Sequence, residues 1–224
     1  MKFKLLLALL LLAMFIPSAM PATTYQINFK EGNNFFCIPL ENTGYNKVND
    51  IRADLPSVTW IYIWDATKQN WDIVNANVTP SLGMLAQVPS NYTLTVSGDV
   101  PEEVTTMLYG GWNLVGYAGK ESVMASELYE TIPDCEKISL AVAPQVASIN
   151  ELMPSRVSLL AYPNDDFVIE FGNVIWIYRN ESAEPYVWKY TNKEEVKVDA
   201  TDLVLPSLIA LLVVVVVYAK VKYK

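Results

Sequence analysis

Apolar residues occupy this chain in two charge-free blocks near its ends and in a periodic pattern between them. Trp60-Ile61-Tyr62-Ile63-Trp64 alternates as a strand does, with Trp60, Tyr62 and Trp64 on one face and Ile61 and Ile63 on the other. Trp71 returns after the turn-forming stretch 65–70, as the second arm of a hairpin. Val48, Ile51 and Leu55 recur at spacings of three or four, and so do Met124, Leu128 and Ile132. Each set marks one face of a short helix. Pro56 and Pro133 follow and stop these helices, because proline lacks the N–H and collides with the preceding turn.

A shift of 79 residues lays one half of this pattern on the other. Gly32–Leu40 (GNNFFCIPL) falls on Gly111–Gly119 (GWNLVGYAG), and Val58–Asp65 (VTWIYIWD) on Lys137–Pro144 (KISLAVAP). The later parts match after an insertion near 153–166 in the second copy. Each copy reads strand, short helix, strand, turn, strand, loop, strand, strand. The predicted class is therefore α+β, mainly β: two tandem related β-rich units with short helices, over residues 23–99 and 100–190. The junction is placed in Ser97–Met107. Gly32 and Gly111 become matching turn residues, where φ > 0 is expected. Gly116 falls on Cys37, which marks an expected close approach between chain segments.

The residues that carry the repeat also carry a resemblance. Gly111-Trp112-Asn113-Leu114-Val115, Ile38-Pro39-Leu40, Trp64-Asp65 with Trp71, Gly172 with Trp176-Ile177-Tyr178, and Leu94-Thr95-Val96-Ser97-Gly98 together resemble a tandem β-rich module of archaeal and bacterial cell-surface proteins, envelope and S-layer-associated. The first copy departs from that pattern with Asn33 and Phe35 in place of Trp and Leu, and the second lacks the Trp-rich middle strand. The resemblance implies an envelope building block and carries no catalytic assignment.

The apolar ends give this module an expected setting. Lys2 and Lys4, then Leu5–Ile16, then small residues have the layout of a secretory signal peptide, residues 1–22. Residues 203–219 are uncharged, and a helix of that length reaches roughly 26 Å, close to the hydrocarbon thickness of a bilayer. Residues 191–202 form a polar stalk and 220–224 a basic tail, whose Lys220, Lys222 and Lys224 favour the cytoplasm. The expectation is a single-pass protein of the cell membrane with residues 23–202 outside.

Charge and composition narrow the chemistry. Residues 23–202 hold all 24 acidic residues and 11 of the 16 basic ones, a net −13, which disfavours nucleic acid. The chain has no His, which removes Ser-His and Cys-His catalysis and most zinc sites. No cofactor or metal is expected. Cys37 and Cys135 are the only cysteines, and outside the cell they are expected to form one disulfide, with two separate buried thiols as the alternative. Asn77, Asn91 and Asn180 head N-x-S/T sequons near predicted turns. Asp165-Asp166 beside Asn164, and Asp99 with Glu102 and Glu103, lack calcium-loop spacing and read as solvated loop acids.

Two functions follow from this sequence. The first is a non-enzymatic, membrane-anchored structural or adhesion protein of the envelope, meeting other envelope proteins, surface glycans or further copies of itself; a viral envelope protein has the same topology. The second is a carbohydrate-binding or receptor module, with Trp60, Tyr62, Trp64 and Trp71 as a flat row that stacks on sugar rings. Against that row stands the apolar Ile138–Ala143 at the same place in the second copy, which points to a buried position in both.

Overall fold

The computed structural model describes residues 22–56, 59–142 and 160–192. The expected signal segment up to residue 21, the expected stalk from Lys193, the expected membrane segment and the basic tail lie outside the described residues, as does half of the expected insertion. The described chain is mainly β, with two short helices. The first half runs β1 (Thr23–Phe29), β2 (Gly32–Phe36), α1 (Val48–Asp54), β3 (Trp60–Asp65), β4 (Asn70–Asp72), β5 (Met84–Val88) and β6 (Tyr92–Gly98). The second half runs β7 (Glu103–Leu108), β8 (Gly111–Gly116), β9 (Val123–Met124), α2 (Ala125–Glu130), β10 (Cys135–Leu140), β11 (Ala161–Tyr162), β12 (Val168–Ile169), β13 (Val174–Arg179) and β14 (Tyr186–Thr191).

The halves share one strand order. The first sheet is β2-β5-β3-β4 and the second β8-β13-β10-β11, with opening, late, middle and following strands in the same places. An antiparallel ribbon accompanies each sheet, β1–β6 in the first half and β7–β14 in the second. The ribbon strands β1 and β7, which precede β2 and β8 in the chain, belong to no segment read from the sequence. In β7 the inward side chains Val104 and Leu108 alternate with exposed Glu103 and Thr105, so the segment looks like a polar junction until its period is counted.

The repeat extends to side-chain hydrogen bonds. Gly32 and Gly111 both turn the chain with positive φ, 94° and 84°. Two residues on, Asn34 Oδ1 accepts the Lys30 N–H at 2.9 Å, and its Nδ2 donates to the carbonyls of Lys30 (2.7 Å) and Gly32 (3.0 Å). Asn113 repeats each bond, accepting from Tyr109 N–H at 2.8 Å and donating to the carbonyls of Tyr109 (2.9 Å) and Gly111 (3.1 Å). One amide thus closes each ribbon-to-sheet turn by using both its acceptor and its donor.

The helices also begin alike. Asp50 Oδ2 accepts the N–H groups of Asn46 and Lys47. Glu127 Oε2 accepts that of Met124. These acids satisfy donors that a helix start leaves open and sit where the helix dipole favours negative charge.

Each sheet is covered on one face by its own ribbon and helix. Ile27, Phe29, Leu94 and Val96 from the ribbon, Val48 and Ile51 from α1 and Leu55 just after it enclose Ile61, Ile63, Met84 and Ala86. Leu108 and Trp188 with Leu128 and Ile132 do the same over Ile138, Ile175 and Ile177. The opposite faces meet across a third cluster: Cys37 and Trp64 from the first half, Leu114, Val174 and Trp176 from the second, with Phe35, Trp71 and Trp112 at its margin. The described residues therefore form one compact unit.

At this junction a residue meets its own counterpart. Cys37 and Gly116 share one place in the repeat, and a Cβ on Gly116 would lie 2.5 Å from Cys37 Cβ. Contact between equivalent positions is the mark of an approximate twofold relation between the halves. It also corrects the expected disulfide. Both cysteines are free and buried: Cys37 lies in the junction with its Sγ 3.4 Å from the Gly172 carbonyl, while Cys135 lies in the second half's own core with its Sγ 3.7 Å from the Lys137 carbonyl.

Candidate functional site

The junction is built from aromatic side chains at an edge-on angle. The Trp176 ring lies 5.2 Å from Trp64, 5.8 Å from Trp71 and 5.9 Å from Phe35, each T-shaped. Trp64 Nε1 donates to the Trp112 carbonyl at 2.7 Å, so the ring bridges β3 to β8 of the other half.

The turn between β3 and β4 supports this bridge. Asp65 Oδ1 accepts from the Thr67 N–H, the Thr67 hydroxyl and the Lys68 N–H, while Oδ2 pairs with Lys68 Nζ at 2.7 Å. The Lys68 and Thr67 bonds hold the Asp65 carboxyl down at about 2. The turn then presents Gln69, at φ 53°, to the other half. Its Oε1 accepts the Trp112 N–H at 2.8 Å, and its Nε2 donates to the carbonyls of Ala66 (2.7 Å) and Trp112 (3.0 Å). Gly111 leaves room for this amide, since a Cβ there would meet it at 2.8 Å.

A groove of about 300 Å³ runs beside the pinned turn, with walls from both halves. Its apolar lining includes Trp64, Leu82, Met107, Tyr109, Leu114 and Val115, and Thr67, Thr79, Ser81, Thr106 and Tyr109 bring hydroxyls. Asp65 is the one acid in the lining, and Lys68 neutralises it. The lining can take a neutral ligand with one apolar face and several hydroxyls, and it offers no cationic clamp for a phosphate or a carboxylate.

The expected aromatic row is not an open platform. Trp60 is 43% exposed, with the Arg52 guanidinium 5.0 Å above its ring, but Trp64 is only 6% exposed. Tyr62 and Trp71 are half-buried, and Trp71 packs against Trp64, Trp176 and Phe35. The row is corrected to a junction: its face is the one on which the other half sits. The alternation that placed Trp60, Tyr62 and Trp64 together cannot report which body covers them.

The sequon asparagines Asn77, Asn91 and Asn180 are all exposed. Asn180 Oδ1 accepts from the N–H and hydroxyl of Ser182, and its Nδ2 donates to Glu136. Asp166, read from sequence as a solvated acid, holds the start of α2 by accepting from the Ser126 N–H (3.0 Å) and hydroxyl (2.7 Å). Gln69 and Tyr109 escaped the sequence reading. The Asp-x-Thr turn before Gln69 was visible, but the partner strand that gives the amide its role lies 43 residues away.

Burial pushes both thiols up to about 12, so neither is a nucleophile at neutral pH. No protein-family model matches the chain, and no curated protein and no solved structure matches it either.

Proposed function

We propose that this protein is a non-enzymatic, membrane-anchored component of the cell envelope, exported through its N-terminal segment and held by residues 203–219. The observation that carries this reading is the duplicated fold set between two apolar ends. Two halves with one strand order close on each other through an aromatic layer, which suits a stiff module displayed on a short stalk. The resemblance to tandem modules of surface proteins and the acidic exterior support the same conclusion.

The test is fractionation and protease protection of the full chain in its own cells. The expected result is a membrane-bound protein whose N-terminus begins between Ala19 and Thr23, with residues 23–192 digestible from outside and the C-terminal lysines protected. Recovery in the soluble cytoplasmic fraction with Met1 intact would overturn it.

The groove supports a second reading, adhesion through a neutral saccharide. Here the aromatic contact comes from Tyr109, which lines the groove, rather than from a row along β3. A glycan array should then show binding that Tyr109→Ala abolishes and Trp60→Ala leaves intact. Loss with Trp60→Ala alone would return the site to the outer end of β3.

A further inference from the structure

The outer face of the β1–β6 ribbon differs from the rest of this acidic molecule. Its six outward side chains are Thr24, Gln26 and Asn28 on β1 and Thr93, Thr95 and Ser97 on β6, paired across the ribbon as Thr24–Ser97, Gln26–Thr95 and Asn28–Thr93. All six are exposed, and neither strand holds a charged residue. The neutral region is long in sequence as well, because Ile73 to Gly98 contains no Asp, Glu, Lys or Arg. The counterpart ribbon is different. It carries Glu103 and Lys189, joined at 3.4 Å, and the outward pair Met107–Val187.

We propose that this face is a homotypic contact, through which two copies of the chain meet ribbon to ribbon. Two arguments select a second copy as the occupant. Residues 23–202 carry a net −13, so two copies repel through most approaches, and the ribbon is a neutral face at which they can meet. Hydroxyl and amide side chains are also both donors and acceptors, so a ladder of them is its own complement, as a twofold contact requires. A carboxylate or ammonium face has no such property.

Size sets the strength of the contact. Strands of seven residues, about 3.4 Å per residue and about 4.8 Å apart, present a face of roughly 240 Å² per copy. Stable interfaces bury about 800 Å² per partner. The contact is therefore lateral and weak, and it operates between copies concentrated on one membrane. That confinement rests on the anchored reading above; the ribbon face does not.

The test uses the full, unglycosylated chain in lipid vesicles, with flotation to report anchoring and copper-catalysed oxidation to report contact. Thr95→Cys, at the centre of the ribbon, should give a disulfide-linked dimer. The native chain should give none, since its two thiols are buried, and neither should Thr105→Cys on the counterpart ribbon. Adding Gln26→Glu to Thr95→Cys sets carboxylates against each other and should remove most of the dimer. Equal cross-linking at 95 and 105, no cross-linking at 95 in floated vesicles, or a dimer indifferent to Gln26→Glu would each overturn the proposal. Failure to float would instead count against the anchored reading.

Discussion

Single side chains hold the turns of this molecule, and their burial ranks their importance. Asn113 and Asn34 make the same three bonds, but Asn113 is buried and Asn34 half-buried. Asn113→Ala strands polar backbone groups away from water and is expected to cost about 2–3 kcal/mol, while water can replace part of what Asn34→Ala removes, for about 1 kcal/mol. Urea unfolding of both variants checks the order, and equal losses would refute the ranking by burial. The Asp65 carboxyl should titrate by NMR with a midpoint of about 2, and Lys68→Ala should raise that midpoint. Because its folded value lies below the usual ~3.9, its contribution to stability is present above that pH and is lost as pH falls through about 2. Cys37 and Cys135 should ignore a thiol reagent at pH 8 and both react in denaturant; one fast thiol in the native protein would contradict their burial. At this scale the sequence was legible only in part. Gly32 and Gly111 announced their turns through residue type, but the asparagines two positions on could be interpreted only with the backbone groups in view.

Elements were more legible where a local signal marked them. The helix spacings before Pro56 and Pro133 correspond to α1 and α2, and Ile175 to Tyr178 and Tyr186 to Tyr190 lie in β13 and β14. The ribbons were harder to see, because β1 pairs with a strand nearly 70 residues away, and β7 with one more than 80 away. One buried cation now ties several elements of the second half together. Arg179, at 1% exposure, leaves β13 and donates to the carbonyls of Pro133 (2.9 Å), Leu108 (3.0 Å) and Glu184 (2.9 Å), reaching the exit of α2, the end of β7 and the approach to β14. Arg179→Met keeps much of the volume but leaves those acceptors unsatisfied, so a loss of about 2–4 kcal/mol is expected. Arg179→Lys should fall between, since an ammonium cannot span the fork. A thermal melt in which Met is neutral would show the carbonyls to be satisfied otherwise.

The whole molecule is decided by how two similar bodies close. Sequence comparison exposed the repeat and the coincidence of Gly116 with Cys37, but it could not say that these two positions touch. Gly116→Cys should cost about 1–3 kcal/mol by overfilling the junction. Combined with Cys37→Gly it exchanges the two counterparts, and the double variant should recover most of that loss, a coupling that independent sites do not show. If the two changes simply add, the approximate twofold relation at this contact is wrong.

The unequal pair at 37 and 116 has a consequence for assembly fidelity. Two first halves brought together would set one Cys37 against another where the native contact leaves room for a single side chain, and two second halves would leave a hole between glycines. A bump therefore fits only its matching hollow. Wherever copies crowd together, this asymmetry discourages neighbouring chains from exchanging like halves, and it directs each first half to a second half, the nearest of which is covalently its own.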